Sequence, residues 1–482
     1  MEKEKEKPEI VMEVSTKSEK GDLGKDGIIV TFDENKTISK MSKVGVYRNL
    51  IVISVAFMLG FSAYNSFSSL QSSLNKDDGL GTTGLAISYA MMLLSSLLVT
   101  PVTMSRFTPK WIMVVSLITL LIYVATGFYP SWYTVIPASI IVGIGLSHLW
   151  LASQAYITDI AKHYALMTNT KPQDKLNFFL GIFYAFTYSC NIWGNLASSF
   201  VFETGEDNST VDVDVEICGP NFCPYLGFNL TNIIDPSTQQ VYTYTEACCG
   251  FVVLALVIMT FLVTDISAEP TSSNVWNLVQ QVTKQMCTSK TQQLLFFPSL
   301  LGGMAFGFVS GDFTQAYVSC PYGVKNVGFA LVVYGISQSI GSVVLGKLNQ
   351  YTGHLAIFIF GCIVQIVMHL TLLLWIPESS QQYVIYILAT MFGIAGAVNV
   401  PVIAGLYNLY FTKNRAVALS SFRMIYSAGG AMAMGYSNWL CARYKIYILS
   451  STVGLSFISI IGQHIRHKRK EIKVAQVFTY KL

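Results

Sequence analysis

Twelve apolar runs, each about as long as a helix that crosses a bilayer, divide this chain of 482 residues. A helix needs about 20 apolar residues to cross the hydrocarbon core. Because lipid offers the backbone no hydrogen-bond partner, such runs have to be helical. They lie near residues 49–70, 83–104, 111–129, 133–156, 177–202, 247–264, 294–311, 327–348, 355–375, 383–411, 417–440 and 446–463. The pattern predicts an all-α integral membrane protein with twelve transmembrane helices.

The composition supports a membrane protein. Hydrophobic residues make up 52% of the chain and charged residues only 12%, about half the charged fraction of a soluble domain. So little charge cannot cover a water-facing surface, and we expect lipid to cover much of it. The small net charge of +4 gives no indication of a nucleic-acid partner.

Basic residues accumulate in alternate loops, which orients the helices, since cytoplasmic loops are enriched in Lys and Arg. The loops predicted to be cytoplasmic hold Arg106, Lys110, Lys162, Lys171, Lys175, Lys284, Lys290, Lys347, Lys413 and Arg415. The outer loops hold only Lys76, Lys325, Arg443 and Lys445. Both ends of the chain are therefore predicted to be cytoplasmic.

The predicted organisation has five parts. A disordered cytoplasmic tail (1–45) precedes a six-helix half (46–264), a cytoplasmic central loop (265–293), a second six-helix half (294–463) and a basic tail (464–482). The first 20 residues contain no apolar stretch of signal-peptide length, so the first apolar helix is expected to direct insertion. The tail is interpreted as a solvated arm, with partner binding as the alternative.

The basic run from Arg466 to Lys470 directly follows the last apolar helix. At the anionic inner leaflet each basic residue contributes about 1 kcal/mol to binding. Two interpretations stay open: the run determines topology, or it binds anionic lipid such as a phosphoinositide.

The longest outer loop, 203–246, contains no Lys or Arg and carries sequons at Asn208 and Asn229. Both asparagines would face the glycosylation machinery, so we predict a glycan on each. A third sequon, at Asn35, lies in the cytoplasmic tail and is expected to stay unmodified.

Cysteines gather on the same outer side. Cys218 and Cys223 lie in the long loop, and Cys320 follows the seventh helix. Cysteines in an oxidising compartment can form disulfides. A Cys218–Cys223 bridge and a bridge from either residue to Cys320 are both compatible with the sequence, with Cys248, Cys249 and Cys441 near the same surface.

A degenerate motif relates the two halves to the major facilitator superfamily. Its marker after the second helix of each half contains two glycines, an acidic residue and basic residues. The second half keeps Gly346 and Gly353 at the right spacing but has Gln350 at the acidic position. The first half keeps Arg106 and Lys110 without the glycines. Two six-helix halves around a central cavity are therefore expected.

Several strings resemble the uncoordinated-ninety-three family of ion-channel regulatory proteins, most of all its homolog A branch. They are residues 70–74 (LQSSL), 131–137 (SWYTVIP), 193–196 (WGNL), 349–353 (NQYTG) and 445–449 (KIYIL). Together they extend the resemblance over about residues 46–462. The resemblance implies an accessory subunit of a two-pore-domain potassium channel, or an escort for nucleic-acid-sensing Toll-like receptors. It also implies a plasma-membrane glycoprotein, with endosome or endoplasmic reticulum as alternatives.

Two charged residues, one within an apolar run and one directly after the end of another, match charged positions of that family. Arg423 either lines the central cavity, where it would bind an anion or pair with an acid, or extends to the cytoplasmic interface. Asp312 either serves an outer gate or a partner contact, or lies in water at a helix end. His148 and His369 are each interpreted as a histidine bonded to a helix neighbour, with a proton relay as the alternative.

Glycines recur at small-residue spacings that allow close helix packing. These are Gly143, Gly145, Gly303, Gly307, Gly393 and Gly396. The sequence contains no nucleophile elbow, P-loop or paired-histidine metal motif, so we expect no enzyme, cofactor or metal site. A channel or receptor regulator is the first hypothesis. A solute transporter that works by alternating access is the second.

Removal of N-glycans tests the predicted topology. Wild-type protein from a eukaryotic host should lose the apparent mass of two glycans on glycosidase treatment. The Asn208→Gln and Asn229→Gln variants should each lose the mass of only one. Asn35→Gln should leave the gel mobility unchanged, because that sequon is predicted to be cytoplasmic. A glycan on Asn35, or none on either loop asparagine, would contradict the orientation.

Overall fold

The computed structural model describes residues 41–74, 80–104, 106–202, 217–224, 237–266, 275–322, 325–411, 415–437 and 439–479. All regular secondary structure in these ranges is helical. Residues 1–40 of the predicted tail, with Asn35, and the sequons at Asn208 and Asn229 lie outside the described residues. For these, the predicted disorder and glycosylation stay predictions.

The helices follow one another along the whole described chain. They are α1 (Lys43–Leu74), α2 (Leu80–Leu98), α3 (Thr100–Met104), α4 (Pro109–Ala125), α5 (Trp132–Thr168), α6 (Pro172–Tyr188), α7 (Cys190–Phe202), α8 (Thr238–Leu262), α9 (Val275–Thr288), α10 (Lys290–Leu294), α11 (Phe296–Gly307), α12 (Cys320–Tyr322), α13 (Lys325–Leu374), α14 (Tyr383–Tyr410), α15 (Arg415–Ser437) and α16 (Ala442–Thr479). A π-helix, Phe308–Ser319, connects α11 to α12.

Eight helical stretches in the described residues are long and apolar enough to cross a membrane. They are Lys43–Ser69, Pro109–Phe128, Trp132–Thr168, Thr238–Leu262, Lys290–Tyr322, Asn326–Leu374, Tyr383–Tyr410 and Ala442–Arg469. One of them covers two predicted runs, because α13 is interrupted only at Gly353, where φ is 80° and ψ is 163°. Glycine adopts this conformation without a Cβ clash. The chain is a multi-pass membrane protein, and the number twelve stays a prediction.

Local sequence explains several helix starts. Pro109 and Pro172 occupy the first turns of α4 and α6, where the missing N–H costs nothing. Before α8, Ser237 accepts from the Gln240 amide at 3.3 Å, and the Gln240 side chain accepts from the Ser237 amide at 2.9 Å. This reciprocal capping satisfies two backbone donors that the helix itself leaves unpaired.

Exposed apolar side chains mark the lipid-facing surface. On the second part of α13, five large apolar residues at spacings of three and four are exposed: Phe360, Ile363, Val367, Leu370 and Leu374. That spacing places them on one side of the helix. In water such a stripe would be costly, whereas lipid solvates it.

The six glycines singled out in the sequence lie at close helix contacts, as predicted. A Cβ on Gly303 of α11 would collide with the Tyr426 carbonyl oxygen of α15, and one on Gly143 of α5 with the Ser88 carbonyl oxygen of α2. The other four are similarly crowded by side chains or backbone of neighbouring helices. Small residues thus bring helix backbones together inside each half.

Contacts between the first half of the chain (α1–α8) and the second half (α11–α16) follow the same principle. A Cβ on Gly346 of α13 would lie 3.2 Å from the Gly181 Cα of α6. Ser420 of α15 donates a hydrogen bond to the Ser96 carbonyl of α2, and Gln173 donates to the Gly405 carbonyl of α14 at 3.2 Å. These contacts join the halves through backbone approach and neutral hydrogen bonds.

A methyl group added at Gly303 should destabilise the fold. Because the Tyr426 carbonyl belongs to a packed backbone, Gly303→Ala is expected to cost about 1–3 kcal/mol and to lower the thermal unfolding midpoint in detergent. The matched control is Gly250→Ala in α8, where a Cβ would meet nothing within 4 Å, so its midpoint should stay unchanged or rise. Equal midpoints for the two variants would contradict the tight α11–α15 contact.

Candidate functional site

A cavity lies between the two halves of the chain. Its wall combines residues of α1, α2, α5, α6 and α7 with residues of α11, α13, α14, α15 and α16. The volume of the cavity is about 100 Å³. The lining is mainly aromatic and amide in character, with Arg423 as the one Lys or Arg among the lining residues and with no Asp or Glu among them.

Arg423 of α15 is held by aromatic rings. Only 2% of the residue is exposed, and its guanidinium lies 4.4 Å from the centroid of the Trp150 ring of α5. The Phe422 and Tyr426 rings lie 5.1 and 5.6 Å from it. Stacking on ring faces stabilises a desolvated cation. Of the two positions that the sequence left open for Arg423, the structure contains the one in the cavity wall, because neighbouring rings of both halves retain the side chain inside the bundle.

One hydroxyl positions the guanidinium. Tyr184 of α6 accepts a 3.4 Å hydrogen bond from Arg423 Nη2 and a 2.9 Å hydrogen bond from Gln154 of α5. The Tyr184 ring stacks between those of Trp150 and Tyr188, with centroid distances of 6.2 and 5.4 Å. A stack of three aromatic rings in the first half therefore contacts the Arg423 guanidinium of the second half.

Several polar atoms of the cavity wall have no partner in the described residues. They are Arg423 Nε, Tyr188 Oη, Gln338 Oε1 and His369 Nε2, all buried. His369 is otherwise anchored, since its Nδ1 lies 3.0 Å from Ser450 Oγ. Buried polar atoms are normally hydrogen-bonded, so this group is suited to a polar ligand or to ordered water.

The structure decides between the two environments that the sequence left open for Asp312. It belongs to the π-helix, is 3% exposed, and accepts a 2.5 Å charged hydrogen bond from Lys445 of α16. Ser437 donates to the same Asp312 oxygen at 2.7 Å. The interpretation of a water-exposed helix end is wrong, because packing of three helices closes over the carboxylate and supplies its counter-ion.

Two disulfides join the short segment 217–224 to the second half of the chain. Cys218 is bonded to Cys320, and Cys223 to Cys441. The Phe222 carbonyl accepts a 2.8 Å hydrogen bond from the Ala442 amide. Of the pairings left open by the sequence, the structure contains the Cys218–Cys320 bridge and lacks the short Cys218–Cys223 bridge, because each cysteine of the segment faces a different helix end.

The remaining predicted residues lie apart from the cavity or serve packing. His148 contacts the Ile144 carbonyl at 2.8 Å and Thr103 Oγ1 at 2.9 Å, as expected of a histidine bonded to its neighbours. The basic run falls within α16, where Lys468 and Arg469 are exposed; the side chain of Lys470 lies outside the described residues. Within the described ranges, no three His, Cys, Asp or Glu residues form a metal-binding group.

The bundle and its central cavity define a multi-pass membrane protein whose fold resembles those of solved structures. The chain is similar to the major facilitator superfamily transporter FucP in the outward conformation, with a TM-score of 0.60, 13% identity and coverage of 86% of this chain and 98% of that one. It is also similar to the human organic anion transporter MFSD10 (TETRAN), with a TM-score of 0.57, 12% identity and coverage of 86% and 99%. These likenesses establish the major facilitator fold.

Sequence similarity specifies the family. A model of the ion channel regulatory protein UNC-93 matches residues 71–461. Protein unc-93 homolog A of Xenopus laevis is 31% identical over 88% of this chain and 95% of that protein, and the Homo sapiens homolog A is 32% identical over 86% and 92%. The putative potassium channel regulatory protein unc-93 of Caenorhabditis elegans is 26% identical over 84% and 58%. This chain belongs to the UNC-93 ion channel regulatory family.

Breaking the buried ion pair should destabilise the protein strongly. Asp312→Asn or Lys445→Met is expected to cost about 3–5 kcal/mol, because each leaves a buried charge without its partner. The double variant should lose less than the sum of the two single variants. Thermal unfolding in detergent gives the comparison, and strictly additive losses would contradict the pairing.

Proposed function

We propose that this protein is a regulatory or accessory subunit of an ion channel, specifically of the two-pore-domain potassium class, and that it has no catalytic activity. The match of the UNC-93 ion channel regulatory model to residues 71–461 carries the proposal. We place the protein in the plasma membrane, with both ends cytoplasmic. Endosomal or endoplasmic-reticulum residence is the alternative location.

Charge placement supports regulation over ion-coupled transport. Ion coupling generally uses acidic residues that face a substrate pathway, and the described residues of the cavity lining include no Asp or Glu. Asp312, the carboxylate buried in the π-helix, is already paired with Lys445. A bundle of this kind keeps the transporter scaffold without an evident ion-coupling group among the described residues.

Co-expression with a two-pore-domain potassium channel tests the proposal. The potassium current per surface channel should change when this protein is present, because a regulator alters channel opening. Surface biotinylation gives the channel number, and human MFSD10 at equal surface level is the control, since it shares the fold but only 12% of the sequence. The channel should also co-purify with this protein, and not with MFSD10, in mild detergent.

The same experiment separates regulation from receptor or channel escort. An escort would change the amount of its client at the surface and leave the current per surface channel unaltered. A nucleic-acid-sensing Toll-like receptor, followed through its surface and endosomal amounts, provides the receptor arm. No change in current, surface amount or co-purification across these clients would contradict the proposed function.

Solute transport by alternating access is the second candidate. The observation that favours it is the cavity between the two halves with buried Arg423 in its wall. Saturable uptake into proteoliposomes, lost in an Arg423→Ala variant that folds normally, would establish transport in place of regulation.

A further inference from the structure

Arg423 is a buried cation without a counter-ion. Its residue is 2% exposed, and the described residues place no carboxylate in ion-pair distance of it, since the buried acid Asp312 is paired with Lys445. A buried charge is costly unless it is paired and hydrogen-bonded. Aromatic faces offset part of that cost, but they leave the positive charge itself uncompensated. The site is therefore complementary to one negative charge.

The guanidinium is also short of acceptors. In the described residues it makes one hydrogen bond, the 3.4 Å contact from Nη2 to Tyr184, and its buried Nε has no acceptor. The guanidinium carbon lies over the Trp150 ring, 4.4 Å from its centroid. N–H groups at the edge of the plane are the part of Arg that binds a carboxylate through two parallel hydrogen bonds.

The rest of the cavity suits a compact organic body. The aromatic side chains of Tyr89, Tyr334, Phe392 and Tyr426 line it, and the unpartnered polar atoms of Gln338, Tyr188 and His369 share its wall. A ligand with two or more negative charges would need a second cation, and the lining residues that the structure describes include no lysine and no second arginine. A monovalent acid satisfies both the single charge and the aromatic surface.

We propose that the cavity between the two halves binds a small organic monocarboxylate, with its carboxylate on the edge of Arg423 and its apolar body against the aromatic wall. Tyr184 and Trp150 act as positioning residues, because they hold the guanidinium plane. The carboxylate could come from solution, as a small aromatic acid, or from the bilayer, as a fatty acid. The inference rests on the cavity and does not depend on the identity of a partner channel.

Thermal unfolding of the full chain purified in detergent provides the test. Benzoate should raise the unfolding midpoint in a concentration-dependent way, whereas benzamide, of the same shape without the charge, should not. Oleate, compared with oleamide, forms the lipid arm. A shift by benzoate assigns a soluble acid, and a shift by oleate alone assigns a fatty acid of the bilayer. No shift by either carboxylate, or equal shifts by the amides, would overturn the proposal.

Variants distinguish a binding site from a structural role. Arg423→Met should weaken carboxylate binding by about thirtyfold or more, since it removes one partner of a desolvated charge pair. Without ligand, this variant should unfold at a higher temperature than wild type, because it removes an uncompensated buried charge. Lys445→Met is the matched control: it removes a paired charge, so it should lower the midpoint while the remaining folded protein still binds benzoate or oleate.

Tyr184→Phe keeps the proposal testable even where Arg423→Met fails to fold. It removes only the hydroxyl that positions the guanidinium, so carboxylate binding should weaken while the unfolding midpoint changes little. Unaltered binding in Tyr184→Phe together with a lower midpoint in Arg423→Met would show that Arg423 serves packing alone, and would overturn the site. A negative channel experiment leaves these binding results unaffected.

Discussion

Every polar group that this chain carries into the apolar layer has to find its partner inside the protein, because lipid supplies none. Many serines and threonines donate a hydrogen bond to a carbonyl of their own helix. Ser54, for example, donates to the Leu50 carbonyl, one turn earlier, at 2.6 Å. Others bond across helices, as Tyr244 does with Ser66 at 2.7 Å. Asp312 takes a lysine from α16 as its counter-ion. The packing of helices, the close approach at glycines and the buried ion pair all follow from this requirement.

Not every buried polar atom of the described residues meets this requirement, and the exceptions are spread over the bundle. Four of them, Arg423 Nε, Gln338 Oε1, Tyr188 Oη and His369 Nε2, line the cavity. Because both halves of the chain supply the wall, a ligand there would contact both at once. This member of a channel-regulator family thus has a polar interior on a major facilitator fold. The fold alone does not decide whether that interior moves a solute or sets the state of a partner.

Sequence reasoning succeeded where one residue type has one physical role. The apolar runs identified a multi-pass membrane protein, the strings from residue 70 to residue 449 identified the family that the match over 71–461 confirms, and the spaced glycines marked close helix contacts. It left alternatives open where the role depends on a distant neighbour. For Arg423 the sequence allowed both the cavity and the cytoplasmic interface, and for Asp312 it allowed both a gate or partner contact and a water-exposed helix end. Neither residue's sequence neighbourhood contains Trp150 or Lys445.

The sequence by itself determined that the chain crosses a membrane as helices and belongs to the UNC-93 family, because hydrophobic length and local motifs are properties of contiguous residues. Only the tertiary structure decided which groups meet. It brought Arg423 onto Trp150 and Tyr184, more than 200 positions earlier in the chain, and paired Cys223 with Cys441 across 218 residues. Burial and pairing of a charge depend on how separate helices pack, and that packing cannot be inferred from any single segment of the sequence.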